Sequence, residues 1–147
     1  MKRLAFAVAL VGCLSALSLP AAAERSVSFG DYTIHYNALP TEVLEPSVAR
    51  AYGIVRSKAR GLINVSVLRK VMGTTGQPVR ARVTASATNL NAQLRQIDLR
   101  EIKDQGAIYY IGEVSVDDEE TLNFSMEVTP EGESEPYRVT FQQQFFH

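Results

Sequence analysis

The chain has 147 residues, 46% of them hydrophobic, one cysteine, and a net charge of −1 from 15 Lys and Arg against 16 Asp and Glu. That length sets one domain of ordinary size. The balance of charge argues against a protein that neutralises nucleic-acid phosphates, and a lone cysteine excludes an internal disulfide.

The first segment reads as a secretory signal. Lys2 and Arg3 precede an apolar run from Leu4 to Leu19, which is interrupted by Gly12, Ser15 and Ser18 and closed by Pro20 and Ala21-Ala22-Ala23. Small residues at Ala21 and Ala23 suit a signal peptidase, so cleavage is expected after Ala23, leaving residues 24–147 as one domain in the periplasm. A rival processing site is Leu10-Val11-Gly12-Cys13, a lipobox-like run that would place an acylated cysteine at the N-terminus. The apolar residues that follow Cys13 do not make the polar tether of a lipoprotein, so plain cleavage is preferred. Removal of residues 1–23 takes away the cysteine, and the remaining chain depends on packing rather than cross-links in an oxidising compartment.

Beyond the signal, apolar residues recur every second position, the mark of strands buried on one face. Strands are expected near 26–37 and 61–72, the latter with Ile63, Val65 and Val67 on its apolar face. Next comes Val79 to Thr88, with Val79, Ala81, Val83, Ala85 and Ala87 inward, and a strand near 94–103. Three more follow: one with Ile108, Tyr110, Gly112, Val114 and Val116 inward, one with Leu122, Phe124, Met126 and Val128 inward, and a last with Tyr137, Val139, Phe141, Gln143 and Phe145 inward. Turn residues separate them, at 73–78, 89–91, 104–106, 117–120 and 130–136. About seven short strands joined by turns predict an all-β fold, an immunoglobulin-like antiparallel β-sandwich.

One stretch departs from period two. From Pro40 to Arg60 the apolar residues Val43, Leu44, Val48, Ala49, Tyr52 and Val55 follow no strand spacing, and a short helical or irregular insert is expected over 41–45 or 46–52, with Pro46 in a first turn and Gly53 as a stop. The insert also gathers cations: Arg50, Arg56, Lys58 and Arg60. On an extended chain residues two apart share a face, so Arg56, Lys58 and Arg60 beside Tyr52 form a candidate partner-binding site for an anionic ligand or an acidic protein. The alternative is that these cations pair with the acidic strands. Between Arg50 and Arg100 there are ten basic residues and one acid, and from Asp104 to the end ten acids and one base, so the two halves can neutralise one another where their strands interleave.

The stretches His35-Tyr36-Asn37-Ala38, Ala51-Tyr52-Gly53-Ile54-Val55-Arg56-Ser57-Lys58-Ala59-Arg60-Gly61, Ile108-Tyr109-Tyr110 and Phe141-Gln142-Gln143-Gln144-Phe145 resemble a family of short exported Gram-negative proteins known as domain of unknown function 4426. The resemblance runs over essentially all of residues 24–147. It implies a periplasmic location and an all-β fold, and it assigns no activity and no site residues.

Catalytic and cofactor chemistry finds little support. Histidine bases are limited to His35, inside an alternating strand, and His147, the last residue, and there is no nucleophile elbow, phosphate-cradling glycine loop or cysteine pair. A copper set of His35, His147, Met72 and Met126 has ligands of the right softness but no supporting spacing, and Met126 falls on a core face. Asp117-Asp118-Glu119-Glu120 lacks the spaced ligands of a calcium loop and reads as a solvated turn. The sequons at Asn64 and Asn123 lie inside strands. No cofactor is therefore expected, and the reading is a non-catalytic periplasmic binding or interaction module. The alternatives are a chaperone-like or structural protein acting through an exposed strand edge, and an enzyme of unrecognised type. The final strand bears on the first of these, because Val139 to Phe146 is uncharged, β-prone and free of Pro and Gly.

Overall fold

The computed structural model describes residues 25–146. The signal segment, its cleavage after Ala23, Cys13 and His147 lie outside the described residues.

Among the described residues ten strands make two antiparallel sheets. They are β1 (Arg25–Phe29), β2 (Tyr32–Pro40), β3 (Arg60–Arg69), β4 (Gln77–Pro78), β5 (Ala81–Asn89), β6 (Leu94–Ile97), β7 (Arg100–Asp104), β8 (Ala107–Ser115), β9 (Thr121–Pro130) and β10 (Tyr137–Gln144). The larger sheet runs β1-β2-β3-β8-β7, with β4 added to the end of β3, and the smaller runs β10-β9-β5-β6. The expected β-sandwich is thus present. Its strand number exceeds seven for physical reasons. The strand expected over 26–37 is folded back at Gly30, which takes a positive φ of 52°, into the β1–β2 hairpin. The strand expected over 94–103 breaks at Asp98-Leu99, where the chain passes from the small sheet (β6) to the large one (β7). β4 is a two-residue pairing against Leu68 and Arg69.

The inward faces fall where alternation places them. Ile34, Ile63, Val65, Val67, Tyr110 and Val114 of the large sheet meet Ala85, Ala87, Leu122, Phe124, Met126 and Val128 of the small one. Register aligns these rows: Ala87 sits opposite Phe124, which sits opposite Phe141, and Ala85 opposite Met126, which sits opposite Val139. Small residues on β5 face large ones on β9, which lets the layers interdigitate. Aromatic rings close the side where β1, β2 and β10 meet. Phe141 stacks on Phe124 at 4.8 Å and meets Tyr36 at 4.7 Å, and Phe29 stacks on Tyr137 at 4.7 Å.

The two charge blocks interleave. Arg60 pairs with Glu113, and Arg95 with Glu120 and Asp117, so cations of the basic half meet acids of the acidic half, while Arg80 pairs with Glu101, which precedes the acidic block. The Asp117 to Glu120 stretch is the β8–β9 turn, and Glu120 turns back from it to Arg95.

A candidate groove under the insert

Residues 41–59 form the insert, and each end is fixed by identifiable chemistry. Pro40 ends β2, a 3₁₀ turn follows over Thr41–Val43, and α1 spans Pro46–Ala51 with its proline in the first turn. The stop is a Schellman closure: Gly53, at φ 66°, donates to Arg50 O at 3.2 Å, and Ile54 donates to Ala49 O at 2.8 Å. The buried Thr41 ties the far end, its Oγ1 accepting from Ser57 N at 2.9 Å and donating to Ser57 O at 3.1 Å.

The insert lies on the outer face of the large sheet. Ala49 and Ile54 bury against Leu62 of β3 and Ile111 of β8, with Leu39, Leu44, Tyr52, Ile102 and Tyr109 packed around them. β8 is therefore covered on both faces, and Ile111, which alternation alone puts among the outward polar residues, belongs to a second apolar cluster. This second layer was marked in the sequence by Leu39, Leu62 and Ile111, apolar residues at outward positions.

Between insert and sheet runs an open groove of about 270 Å³, walled by Leu39, Leu44, Val48, Ile54, Ile102 and Ile111, with Tyr52, Asn64, Asp104 and Tyr109 supplying its polar groups. Tyr52 OH donates to Asp104 Oδ2 at 3.0 Å, a bond that raises the phenol above its ordinary value, with a smaller contribution from burial. The Tyr52 carbonyl accepts from the Arg100 guanidinium, which anchors the helix end to β7. Asn64 Oδ1 is buried without a hydrogen-bond partner, as is Oδ1 of Asn37 directly opposite it on β2.

Of the residues singled out from sequence, Tyr52 reaches the groove and the three cations separate. Arg56 donates to Glu42 O at 2.8 Å, Arg60 stands 3.7 Å from Glu113, and the exposed Lys58 sits in a turn closed by Arg60 N to Ser57 O. That turn interrupts the extended chain on which a shared face depended. Among the described residues no ion pair involves Arg50, Arg56 or Lys58. Three valines of the insert are exposed, Val43 at 64%, Val48 at 38% and Val55 at 59%. Sequence reasoning missed Val48, Asn64 and Asp104, because the helix that brings Val48 over the sheet and the register that sets Asn64 beside β8 are both non-local.

The other candidates are apart. Met126 is core, Met72 is fully exposed in the β3–β4 loop, and His35 lies on β2 opposite Ser66. Among the described residues no group of three or more His, Cys, Asp or Glu is placed to hold a metal ion, and no helix is long and apolar enough to cross a membrane. Asn64 and Asn123 lie within β3 and β9.

The fold and groove define a small antiparallel β-sandwich with a helical insert clasped to one outer face. The chain belongs to the family called domain of unknown function DUF4426, whose model matches residues 26–147. It is similar to the crystal structure of a DUF4426 family protein from Pseudomonas aeruginosa PAO1, with 36% identity, 84% of this chain and 94% of that one covered, and a TM-score of 0.72. Its fold also resembles FetP of uropathogenic Escherichia coli strain F11 at 10% identity and a TM-score of 0.59, covering 84% of this chain and 94% of that one. A copper-bound variant of FetP gives 10% identity and a TM-score of 0.57, covering 83% and 94%. No curated protein matches the chain.

Proposed function

We propose that the domain is a non-catalytic, exported binding module whose binding face is the insert and the groove beneath it, and whose partner is a protein segment that is apolar at its centre and acidic at its flanks. The observation that carries this reading is the composition of the insert: Val48 is exposed and lines the apolar-walled groove, Val43 and Val55 of the same insert are exposed too, and its Arg50, Arg56 and Lys58 have no ion pairs among the described residues. An apolar patch edged by unpaired charge is the usual build of a transient interface. Its apolar centre supplies affinity and its rim selects the sign of the partner.

The geometry separates the cations into two tests. Reversing Arg56 and Lys58 to Glu leaves the fold intact, with melting within a few degrees of wild type, and removes the partner recovered by pull-down from periplasm. Arg60→Glu faces Glu113 at an existing 3.7 Å ion pair and is expected to lower stability instead. A double variant that melts normally and keeps every partner overturns the assignment of the face.

Export rests on the signal-like residues 1–23. The intact mass of the periplasmic protein is expected to correspond to a chain that starts at Glu24. An acylated species beginning at Cys13 in a membrane fraction contradicts that.

A further inference from the structure

Sheet edges in natural sandwiches are kept short, charged or covered, because each presents a row of free N–H and C=O groups. Most edges here follow that rule. β1 has five residues and starts at Arg25, β4 has two and ends in Pro78, and β6 has four and contains Arg95. β7 carries Arg100, Glu101, Lys103 and Asp104 in five residues. β10 breaks it. This strand runs eight residues at the end of the small sheet, pairs with β9 on one side, and has no charge after Arg138.

Which groups the edge offers is fixed by two bonds. Phe145 N donates to Glu120 O, continuing the β9 register, so odd-numbered residues of β10 point their backbone at β9. Gln142 O instead accepts from Arg25 Nη1 at 3.0 Å, from beyond the sheet, so Arg138, Thr140, Gln142 and Gln144 aim theirs outward. Those same four residues have exposed side chains on the outer face of the sheet.

We propose that this edge is a homodimer seam, in which two copies pair β10 with β10 antiparallel about a twofold axis at Phe141 and join their four-stranded sheets into one. The strand is self-complementary in that register. Thr140 faces Gln142 of the second copy and Arg138 faces Gln144, so every outward residue finds a hydrogen-bonding counterpart and no like charges oppose. An antiparallel edge is also the arrangement a twofold axis generates, and it closes, leaving no further β10 edge to propagate. The cost is two exposed bonds per copy, since Arg25 must release Gln142 O and the Gln143 amide must release Gln144 O. The Arg25 guanidinium keeps its second bond, to Gln143 Oε1 at 3.1 Å, and its place 5.3 Å over the Phe141 ring.

The test is sedimentation velocity of the mature protein from micromolar to millimolar concentration, with amide exchange read in parallel. Wild type is expected to sediment as a dimer whose Thr140 and Gln142 amides lose protection on dilution. Thr140→Lys with Gln142→Lys sets like charges opposite one another and is expected to give a folded monomer with near-normal melting, since both side chains are exposed. Thr140→Lys with Gln142→Glu sets opposite charges in register and restores the dimer. Wild type that remains monomeric at millimolar concentration overturns the proposal, including a monomer whose edge accepts a foreign extended peptide. A double-lysine variant that still dimerises, or a Lys/Glu variant that does not, overturns the seam or its register.

Discussion

Gly112→Ala is expected to cost about 2–3 kcal/mol, a fall in melting temperature on the order of 10 °C. Gly112 lies on β8, against the Asp98-Leu99 stretch where the chain crosses from one sheet to the other. A Cβ there would come within 2.6 Å of Ile97 Cγ2, 2.8 Å of the Asp98 carbonyl and 2.8 Å of Leu99 Cδ2. The isoleucine methyl can turn aside, but the carbonyl belongs to the crossover backbone and moves only if β6 or β7 moves. The loss reads out as a lower urea midpoint with an unchanged slope. A variant as stable as wild type would show that the crossover has slack.

The second large effect is on acid stability, through Glu120. Its carboxylate, 11% exposed, accepts from both guanidinium nitrogens of Arg95, from Asp117 N and from Asn89 Nδ2. The Arg95 hydrogen bond is the largest cause of a pKa lowered from 4.5 to about 2, with burial opposing it. Because the folded value lies below the unfolded one, the stabilisation is complete above about pH 4.5 and is lost as pH falls toward 2. A shift of this size corresponds to as much as about 3 kcal/mol. Glu120→Gln is expected to lower stability at neutral pH by about 2 kcal/mol, leaving Arg95 half-paired, and to converge on wild type near pH 2. Urea midpoints of both proteins across pH 2 to 6 measure it, and parallel curves would remove Glu120 as the cause.

Gly112 and Glu120 also mark where the sequence could be read and where it could not. Gly112 falls correctly on an inward face by alternation alone, as do Leu122, Phe124, Met126 and Val128, because period two is a local property of a half-buried strand. The need for a missing Cβ at Gly112 comes from a crossover at Asp98-Leu99, and nothing local distinguishes one bent strand from two strands in different sheets. Likewise the bond of Arg95 to Glu120 spans a strand exchange between the halves. The charge blocks showed that pairing was available, without saying which residues would meet. In the insert, Pro46 and Gly53 were legible as helix start and stop because capping is local chemistry. The groove was not, since it exists only where α1 is laid over β3, β7 and β8, and the turn at Ser57 separates three cations that a linear reading had aligned. The position of β10 at an edge is a fact of strand order, which composition does not encode.

The clasp between Thr41 and Ser57 has a consequence for how this chain can vary. A single hydroxyl holds the two ends of the insert together through a donated and an accepted bond, so residues 42–56 form an excursion whose ends are joined whatever lies between them. Lengthening a loop whose ends are already joined costs little entropy. Evolution, or a protein engineer, can therefore exchange the excursion for one of different length, provided that it still covers Leu62 and Ile111 with apolar groups, which makes the sandwich a chassis and the insert its interchangeable cartridge.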